Sequence, residues 1–216
     1  MNYIAHFFSW IFLPLLMPIY GLILALYMPS SNGELYNNDS LYYLNDEAKS
    51  IVLYMFVVFS AIAPAASFLL LRMRNVISTI DMENRRERSI PMYIMLSFCL
   101  LLYVLFLLRV PAGNPKFIFS LPLSGVLVTF FYTIINRWIK ISLHGGGAGI
   151  LTGFIFAYYL NQEQFQFWVF FAVILASALT ISSRLYLKKH TETEVYSGWA
   201  LALVITFVAN YYYPHF

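Results

Sequence analysis

The fold class is decided by residues 92–108, which read Met-Tyr-Ile-Met-Leu-Ser-Phe-Cys-Leu-Leu-Leu-Tyr-Val-Leu-Phe-Leu-Leu. This stretch has no charged side chain, and about 20 apolar residues cross the hydrocarbon core of a bilayer as one helix. A spanning strand would alternate apolar and polar residues over about ten positions, and no such alternation is present. The stretch therefore predicts a membrane-spanning helix, whose backbone groups are paired within the segment.

Comparable apolar runs recur along the chain. The first contains Pro14 and Pro18 and the second contains Pro64, so both are expected to kink. The fifth is short and glycine-rich, which leaves about six to seven expected spans. Because no glycine- or proline-rich linker divides the chain, residues 1–216 are expected to form a single integral-membrane domain, an all-α polytopic helical bundle. The candidate spans are 7–28, 51–71, 92–108, 117–138, 143–160, 165–181 and 195–213.

Composition supports the same class. Of 216 residues, 61% are hydrophobic, 19% are aromatic and only 11% are charged, which is too apolar for a soluble domain of this length. The net charge of +3 comes from loop clusters and not from the continuous basic face that nucleic-acid binding requires. The one cysteine, Cys99, lies inside an apolar run, so neither a disulfide framework nor a zinc site can be built from it.

Residues 183–198 join two of the apolar runs and bring charge, histidine and carboxylate together; they read Ser-Arg-Leu-Tyr-Leu-Lys-Lys-His-Thr-Glu-Thr-Glu-Val-Tyr-Ser-Gly. Arg184 supplies a planar cation that fits phosphate oxygens. His190 can act as base or nucleophile near neutral pH. Glu194 follows four residues later, so in a helix it would lie on the same face and orient the imidazole. The combination favours phosphoryl transfer.

A second interpretation of the same stretch involves no chemistry. Thr191 followed three residues later by Glu194 is a capping box that would open the last helix. Arg184, Lys188 and Lys189 would then serve as anchors at the membrane interface. The residues alone leave both interpretations open.

Two other connections carry candidate groups. Five arginines between residues 72 and 88 can face solvent and lipid headgroups, or one or two of them can hold phosphate. His144 precedes glycines at 145, 149 and 153, a spacing that lets membrane helices approach closely. We therefore expect the start of the fifth run to pack tightly against a neighbour, with His144 either facing a ligand or lying at the interface.

Residues 183–194 resemble the third signature of the type 2 phosphatidic acid phosphatase superfamily, which is Ser-Arg, five residues, His, three residues, Asp. Ser183, Arg184 and His190 match in identity and spacing, and Glu194 stands where the family has Asp. The resemblance implies that His190 is the nucleophile, forming a phosphohistidine, and that Glu194 orients it. It also implies that Ser183 and Arg184 contact the phosphate.

The family's other two signatures are matched only in part. The second, Pro-Ser-Gly-His, ends on a histidine at a helix start, where anions are attracted; His144 takes that place, with Gly145 supplying backbone to the phosphate. Ser142 is one residue out of register and the proline is missing. The first, Lys, six residues, then Arg-Pro, has no lysine here, so its role is carried to Arg88, with Arg85 as second choice.

Topology gives an argument independent of these motifs. With seven spans, the connections after spans two, four and six emerge on one side, and these contain Arg88, His144 and residues 183–194. By the positive-inside rule that side would be cytoplasmic. The family resemblance implies the opposite side of the membrane, so the side on which the candidate site lies stays open. Ten of the 13 Lys and Arg residues lie there: Arg72, Arg74, Arg85, Arg86, Arg88, Arg137, Lys140, Arg184, Lys188 and Lys189.

The expected function is an integral-membrane lipid phosphatase, a phosphoric ester hydrolase that works without metal or cofactor. Its substrate would be a membrane lipid phosphate, such as phosphatidate, phosphatidylglycerophosphate or a polyprenyl diphosphate, whose tails stay in the bilayer. The alternative is a catalytically inactive family member that binds an anionic lipid or a partner membrane protein, and an oligomer is possible. A transporter is disfavoured because the spans contain almost no ionisable groups.

Overall fold

The computed structural model describes residues 2–30, 40–79, 82, 84–111, 113–164 and 166–215. Within these ranges the chain is helical and no strand is present. Short 3₁₀ turns occur at Leu41–Tyr43, Arg85–Arg88 and Tyr213–His215. The α-helices are α1 (Asn2–Ile11), α2 (Met17–Tyr27), α3 (Asp46–Val57), α4 (Ala63–Met73), α5 (Ser89–Arg109), α6 (Phe117–Ile135), α7 (Leu143–Leu160), α8 (Phe167–Tyr186) and α9 (Glu192–Tyr212).

The helical bundle predicted from the sequence is confirmed, but the number of spans is smaller. Among the described residues, five helical segments are long and apolar enough to cross a membrane, against the six to seven expected. Several long apolar helices are compatible with an integral membrane protein. The five segments are Asp46–Met73, Arg85–Arg109, Phe117–Ile135, Phe167–Tyr186 and Glu192–Tyr212.

The first apolar run is divided into the two short helices α1 and α2. Pro14 lies in the break between them, and a proline removes a backbone donor and clashes with the preceding turn. Pro18 lies in the first turn of α2, where proline is tolerated. The Tyr20 hydroxyl donates to the Ile11 carbonyl oxygen at 2.9 Å, which pairs an acceptor at the end of α1. The expected kink is therefore a full break, and no single span covers 7–28.

The second run stays continuous but contains one widened turn. Helices α3 and α4 are joined by a π-helical turn at Val58–Ile62. Pro64 follows that turn, and its ring would clash with the carbonyl four residues earlier, at Ser60, in a regular α-helix. A π turn relieves such a clash, and turns of this kind are frequent at functional sites. The Ser60 hydroxyl is directed back to the Phe56 carbonyl oxygen at 2.6 Å.

Helix α7 lies in the centre of the bundle and packs closely on α9. A Cβ atom at Gly145 would lie 2.7 Å from the Val195 carbonyl oxygen, and one at Gly153 would lie 2.5 Å from that of Leu203. Gly149 meets the α9 backbone in the same way. The tight packing predicted from the glycine spacing is confirmed, because only residues without a side chain allow this approach.

The three polar connections meet at one end of the bundle. They follow α4, α6 and α8, and direct hydrogen bonds join them to one another. Because the starts of α5, α7 and α9 are fixed to the same place, side chains from three hairpins can share one site. The bonds run from Lys140 Nζ to the Lys189 carbonyl (3.1 Å), from the Ser142 amide to the Glu194 carbonyl (3.1 Å), and from Asn136 Nδ2 to the Arg85 carbonyl (3.2 Å).

Candidate active site

A cavity of about 200 Å³ opens where the three connections meet. Arg88, His144, Arg184 and His190 all line it, together with a largely apolar wall formed by helices. Residues more than 90 positions apart in sequence are thus gathered around one space. The convergence predicted from topology is confirmed, while the chemical roles of these residues stay predictions.

Local structure on both sides fixes the position of His190. Helix α8 ends in a Schellman motif: the Lys188 amide donates to Leu185 and the Lys189 amide donates to the carbonyl of Arg184, with Lys188 at a φ of 51°. Thr191 then caps α9 immediately afterwards. His190 is the single residue between a helix stop and a helix start, so its backbone has little freedom.

Glu194 both caps α9 and contacts the imidazole. Its amide donates to Thr191 Oγ1 at 3.3 Å, and its Oε2 accepts from the Thr191 amide at 3.1 Å, so the capping box is complete. The same Oε2 lies 3.0 Å from His190 Nδ1. Glu194 therefore caps the helix and contacts His190 at the same time. With Nδ1–H donating to the carboxylate, Nε2 keeps the lone pair that a nucleophile needs.

The surroundings of His190 favour its neutral form. Burial lowers the pKa of His190 to about 4, and the positive charge of Arg88 acts in the same direction. The hydrogen bond to Glu194 opposes this shift, while Arg184 and Lys140 add to it. The exposed fraction of the His190 side chain is only 2%. A neutral, desolvated imidazole is the state from which attack on an electrophile can begin.

Arg88 is built into the site by two backbone acceptors. Its Nε donates to the Met82 carbonyl oxygen at 2.8 Å and its Nη1 to the Ile141 carbonyl oxygen at 2.7 Å. The side chain is buried, with 2% exposed. It therefore connects the α4–α5 connection to the residues just before α7, and it places a positive charge at the cavity wall. By contrast, the side chains of Arg72, Arg74 and Arg86 are exposed.

Helix α1 supplies a residue that contacts two members of the site. Arg184 Nη1 donates to Ser9 Oγ at 2.8 Å, and the Ser9 backbone is hydrogen-bonded to His144. His144 Nε2 is buried and has no hydrogen-bond partner among the described residues. Since His144 lines the cavity, it adds a ring nitrogen that can exchange a proton with a bound molecule.

Three predicted phosphate ligands do not line the cavity. Ser183 is buried within α8, where its hydroxyl donates to the Thr180 carbonyl oxygen at 2.7 Å. Gly145 packs on α9, and its amide donates to Ser142 Oγ, which caps α7. Arg85 is half-buried, and its carbonyl accepts from the Asn136 side chain. Hydrogen bonds and helix contacts hold these three residues outside the cavity wall, and a match to a sequence motif does not reveal such contacts.

A second, open depression lies on the outer side of His190. Its wall carries charges of both signs, from Lys140, Lys188 and Lys189 and from Glu192 and Glu194. His190 lines both this depression and the inner cavity. The imidazole thus separates an apolar chamber inside the bundle from a polar surface that water can reach.

Several neighbours of the site carried no sequence signal. Ser9 lies in an apolar helix and matches no motif, yet it contacts Arg184 and His144. Tyr132 lines the cavity and donates its hydroxyl to the Gly198 carbonyl oxygen at 2.5 Å, which ties α6 to α9. Both contacts join segments that are far apart in sequence, so only the folded chain brings them together.

No family model, curated protein or solved structure matches this chain. Among the described residues, no group of three or more His, Cys, Asp or Glu side chains is arranged to hold a metal ion.

Proposed function

We propose that the protein is a multi-pass integral-membrane phosphatase that hydrolyses a lipid phosphate through a phosphohistidine on His190. One observation carries the proposal: His190, His144, Arg88 and Arg184 line one cavity, and Glu194 contacts His190 Nδ1 at 3.0 Å. A nucleophile with its orienting carboxylate, a proton carrier and two cations are the groups that phosphoryl transfer needs. The short resemblance at residues 183–194 supports the same assignment.

In the first step, the lone pair on His190 Nε2 attacks phosphorus. The bond between phosphorus and the lipid oxygen breaks and its electron pair stays on that oxygen. His144 Nε2 takes the proton that the phosphate monoanion of the substrate brings and passes it to that oxygen, which yields the lipid alcohol. Glu194 stabilises the positive charge that develops on the His190 ring. Arg184 and Arg88 lower the energy of the transition state by attracting the phosphoryl oxygens.

In the second step, His144 takes a proton from water while the water oxygen attacks phosphorus. The N–P bond breaks, its electron pair returns to His190 Nε2, and inorganic phosphate leaves. In-line displacement requires this water to attack from the side opposite the N–P bond, where the lipid alcohol has left. His144 then gives this proton to the departing phosphate, so its ring is neutral again, as it was at the start.

In-line attack fits the positions of the inner cavity and the outer depression on either side of His190. Glu194 contacts the outer side of His190 and lines only the outer depression, so Nε2, at the opposite side of the ring, points toward the inner cavity. The leaving oxygen lies opposite the nucleophile in such a reaction. The lipid part of the substrate would therefore extend into the bundle. On this account α7 and the α1–α2 pair also lie within the bilayer, which restores the expected six to seven membrane-embedded segments.

A second candidate is a non-catalytic protein that binds an anionic lipid. The observation in its favour is that backbone and side-chain acceptors of the protein already engage Arg88 and Arg184, through Met82, Ile141 and Ser9. Cations fixed in this way can hold a headgroup without turnover. This candidate predicts lipid binding with no release of phosphate.

The test is phosphate release by purified protein from phosphatidate, phosphatidylglycerophosphate and a polyprenyl diphosphate. We expect His190→Ala to abolish release, whereas His6→Ala, on the exposed side of α1, keeps the wild-type rate. Equal rates for wild type and His190→Ala would overturn the proposal. Lipid binding without release by the wild type would favour the second candidate.

A further inference from the structure

We propose that the cavity holds the first part of one hydrocarbon chain, so that the substrate is a phosphate carried on a single slender apolar chain. The binding of a phosphate at this site rests on the proposed function, whereas the binding of a hydrocarbon chain rests on the cavity alone. It departs from the expectation that the lipid tails stay in the bilayer. A single acyl chain and a prenyl chain both have the apolar character that the cavity wall requires.

The cavity is charged at one end and apolar along the remainder, like an amphiphilic molecule. Its charged groups lie at the end of the bundle, with Arg88 immediately before α5 and His190 immediately before Thr191. Cys99 lines the same cavity 11 residues after Arg88, which corresponds to about 16 Å along a helix. Phe56 and Leu102 also line the wall. A phosphate at one end and a hydrocarbon chain along the remainder would match this distribution.

Irregularities in three helices leave the space open. Pro14 lies in the break between α1 and α2, Ser60 lies in the π turn, and Pro122 lies inside α6, and all three line the cavity. Gly125 adds a position on α6 without a side chain. Regularly packed helices leave few voids larger than a water molecule, so a cavity bordered by several helix defects is a built feature of this bundle.

The volume fits one chain and not two. A cavity of 200 Å³ lies below the range of about 300–1,000 Å³ found for sites that take drug-sized ligands. A diacyl lipid branches within a few carbon atoms of its phosphate. At that depth the wall includes the buried side chains of Met92 and Tyr132, which a second chain beside the first would have to displace.

The cavity would orient the substrate more than it would raise its affinity. Lipid tails are as apolar as leucine side chains, so moving a chain from bilayer to protein gains little free energy. A fixed chain does, however, hold the phosphorus in line with His190 Nε2. Orientation of this kind accelerates reaction, and the effect is expected in kcat/KM for substrates that carry a chain.

The first experiment narrows the cavity at Gly125. A Cβ atom there would lie 3.4 Å from Cys99 Sγ, an ordinary contact, so Gly125→Ala is the matched control and Gly125→Leu must fill the space. For lysophosphatidate and farnesyl phosphate, we expect Gly125→Leu to lower kcat/KM about tenfold or more. The readout is the ratio of kcat/KM for a chain-bearing substrate to that for phenyl phosphate, which has no chain; Gly125→Leu should lower this ratio, and Gly113→Ala, outside the cavity wall, should leave it unchanged.

The same assay compares one chain with two. The wild type should hydrolyse lysophosphatidate or farnesyl phosphate with a kcat/KM about tenfold or more above that for dioleoyl phosphatidate. The better of the two single-chain substrates identifies the chain as acyl or prenyl. Equal kcat/KM for dioleoyl phosphatidate, or no effect of Gly125→Leu on chain-bearing substrates, would overturn the inference.

The second experiment needs no turnover. A lysophosphatidate analogue with a diazirine about seven carbons along its acyl chain is bound and photolysed, and the labelled residues are mapped by mass spectrometry. The inference predicts labels at Met95, Cys99 and near Gly125. Labels confined to the exposed residues Leu101 and Leu108 would overturn it. If the protein releases no phosphate but is labelled at the cavity residues, the proposed phosphatase activity is refuted and the binding of a hydrocarbon chain in the cavity is supported.

Discussion

Glu194 Oε2 contacts two neighbours, lying 3.0 Å from His190 Nδ1 and 3.1 Å from the Thr191 amide nitrogen. One contact is part of the capping box of α9, and the other fixes the tautomer and the direction of the imidazole. Because the same oxygen serves both, the start of α9 cannot fray without releasing His190. Capping of α9 and the contact with the His190 ring are thus joined in one side chain.

The charge of Glu194 can be removed while its cap is kept. Glutamine also serves at this position of a capping box, so Glu194→Gln should change the free energy of unfolding by less than about 1 kcal/mol. The neutral amide no longer stabilises the imidazolium, so we expect kcat for phosphate release to fall by about 10²- to 10⁴-fold. Steady-state kinetics and thermal unfolding in detergent measure the two effects.

Glu192→Gln is the matched control for this change. Glu192 is also in the first turn of α9, but its side chain is exposed. Its kinetics should equal those of the wild type. A Glu194→Gln variant with unchanged kcat would show that the carboxylate only caps the helix.

The lowered pKa of His190 makes a prediction about pH. Burial, reinforced by Arg88, brings this pKa to about 4, whereas an unfolded histidine titrates near about 6.5. Between these values the unfolded chain binds a proton that the folded chain does not, so folding stability is present above about pH 6.5 and declines as the pH falls toward 4. The nucleophile itself stays neutral through this range.

The pH profile of kcat/KM tests the same shift. The acid limb due to His190 should lie well below pH 6.5, and Lys140→Ala should move it upward, since Lys140 contributes to lowering the pKa. Glu194→Gln should move it downward, since Glu194 raises the pKa. A limb that stays at the same pH in both variants would contradict the assignment of that limb to His190.

Arg88 is expected to matter for folding as well as for phosphate binding. Arg88→Ala removes the donors to the Met82 and Ile141 carbonyl oxygens. Hydrogen bonds from charged groups contribute about 1.5–3 kcal/mol each, so we expect a loss of about 3 kcal/mol or more in unfolding free energy, together with lost activity. Arg86→Ala, at an exposed position, should change stability by less than about 0.5 kcal/mol. Equal thermal stability of the two variants would contradict the buried role of Arg88.

The close packing of α7 on α9 gives a further prediction. Gly149 meets the backbone carbonyl of Trp199 and the side chain of Ala202, so Gly149→Ala should force the helices apart and reduce stability by about 1–3 kcal/mol. Gly113→Ala is the control, because a Cβ atom at Gly113 meets nothing within 4 Å. Thermal unfolding in detergent measures both, and similar melting temperatures would refute the tight contact.

The sequence predicted the features that depend on local pattern. The uncharged run 92–108 lies within α5, and the glycine spacing at 145, 149 and 153 predicted the contact with α9. Apolar length and residue size act locally, so both are visible in one segment. The break at Pro14 was underestimated, because a kink and a full break in a helix have the same sequence signal.

The site was predictable only where a single stretch carries it. His190 and Glu194 are four residues apart, and their contact follows from helix geometry. The contacts of Ser9 with Arg184 and His144, and of Arg88 with Ile141, cross between hairpins. Such contacts depend on how helices pack, which one sequence does not specify. A motif match can also mislead. Ser183 matches the motif in identity and spacing, but its hydroxyl donates to the Thr180 carbonyl oxygen.

In the proposed mechanism, His190 Nε2 bonds to phosphorus during turnover. The most direct test of this step is rapid quenching of the protein with a chain-bearing substrate labelled in its phosphate, followed by mapping of the modified peptide by mass spectrometry. The account predicts a phosphohistidine at His190 that is stable to base and lost in acid, and that is absent from His190→Ala. Phosphate release without such an adduct, or an adduct at another residue, would contradict it.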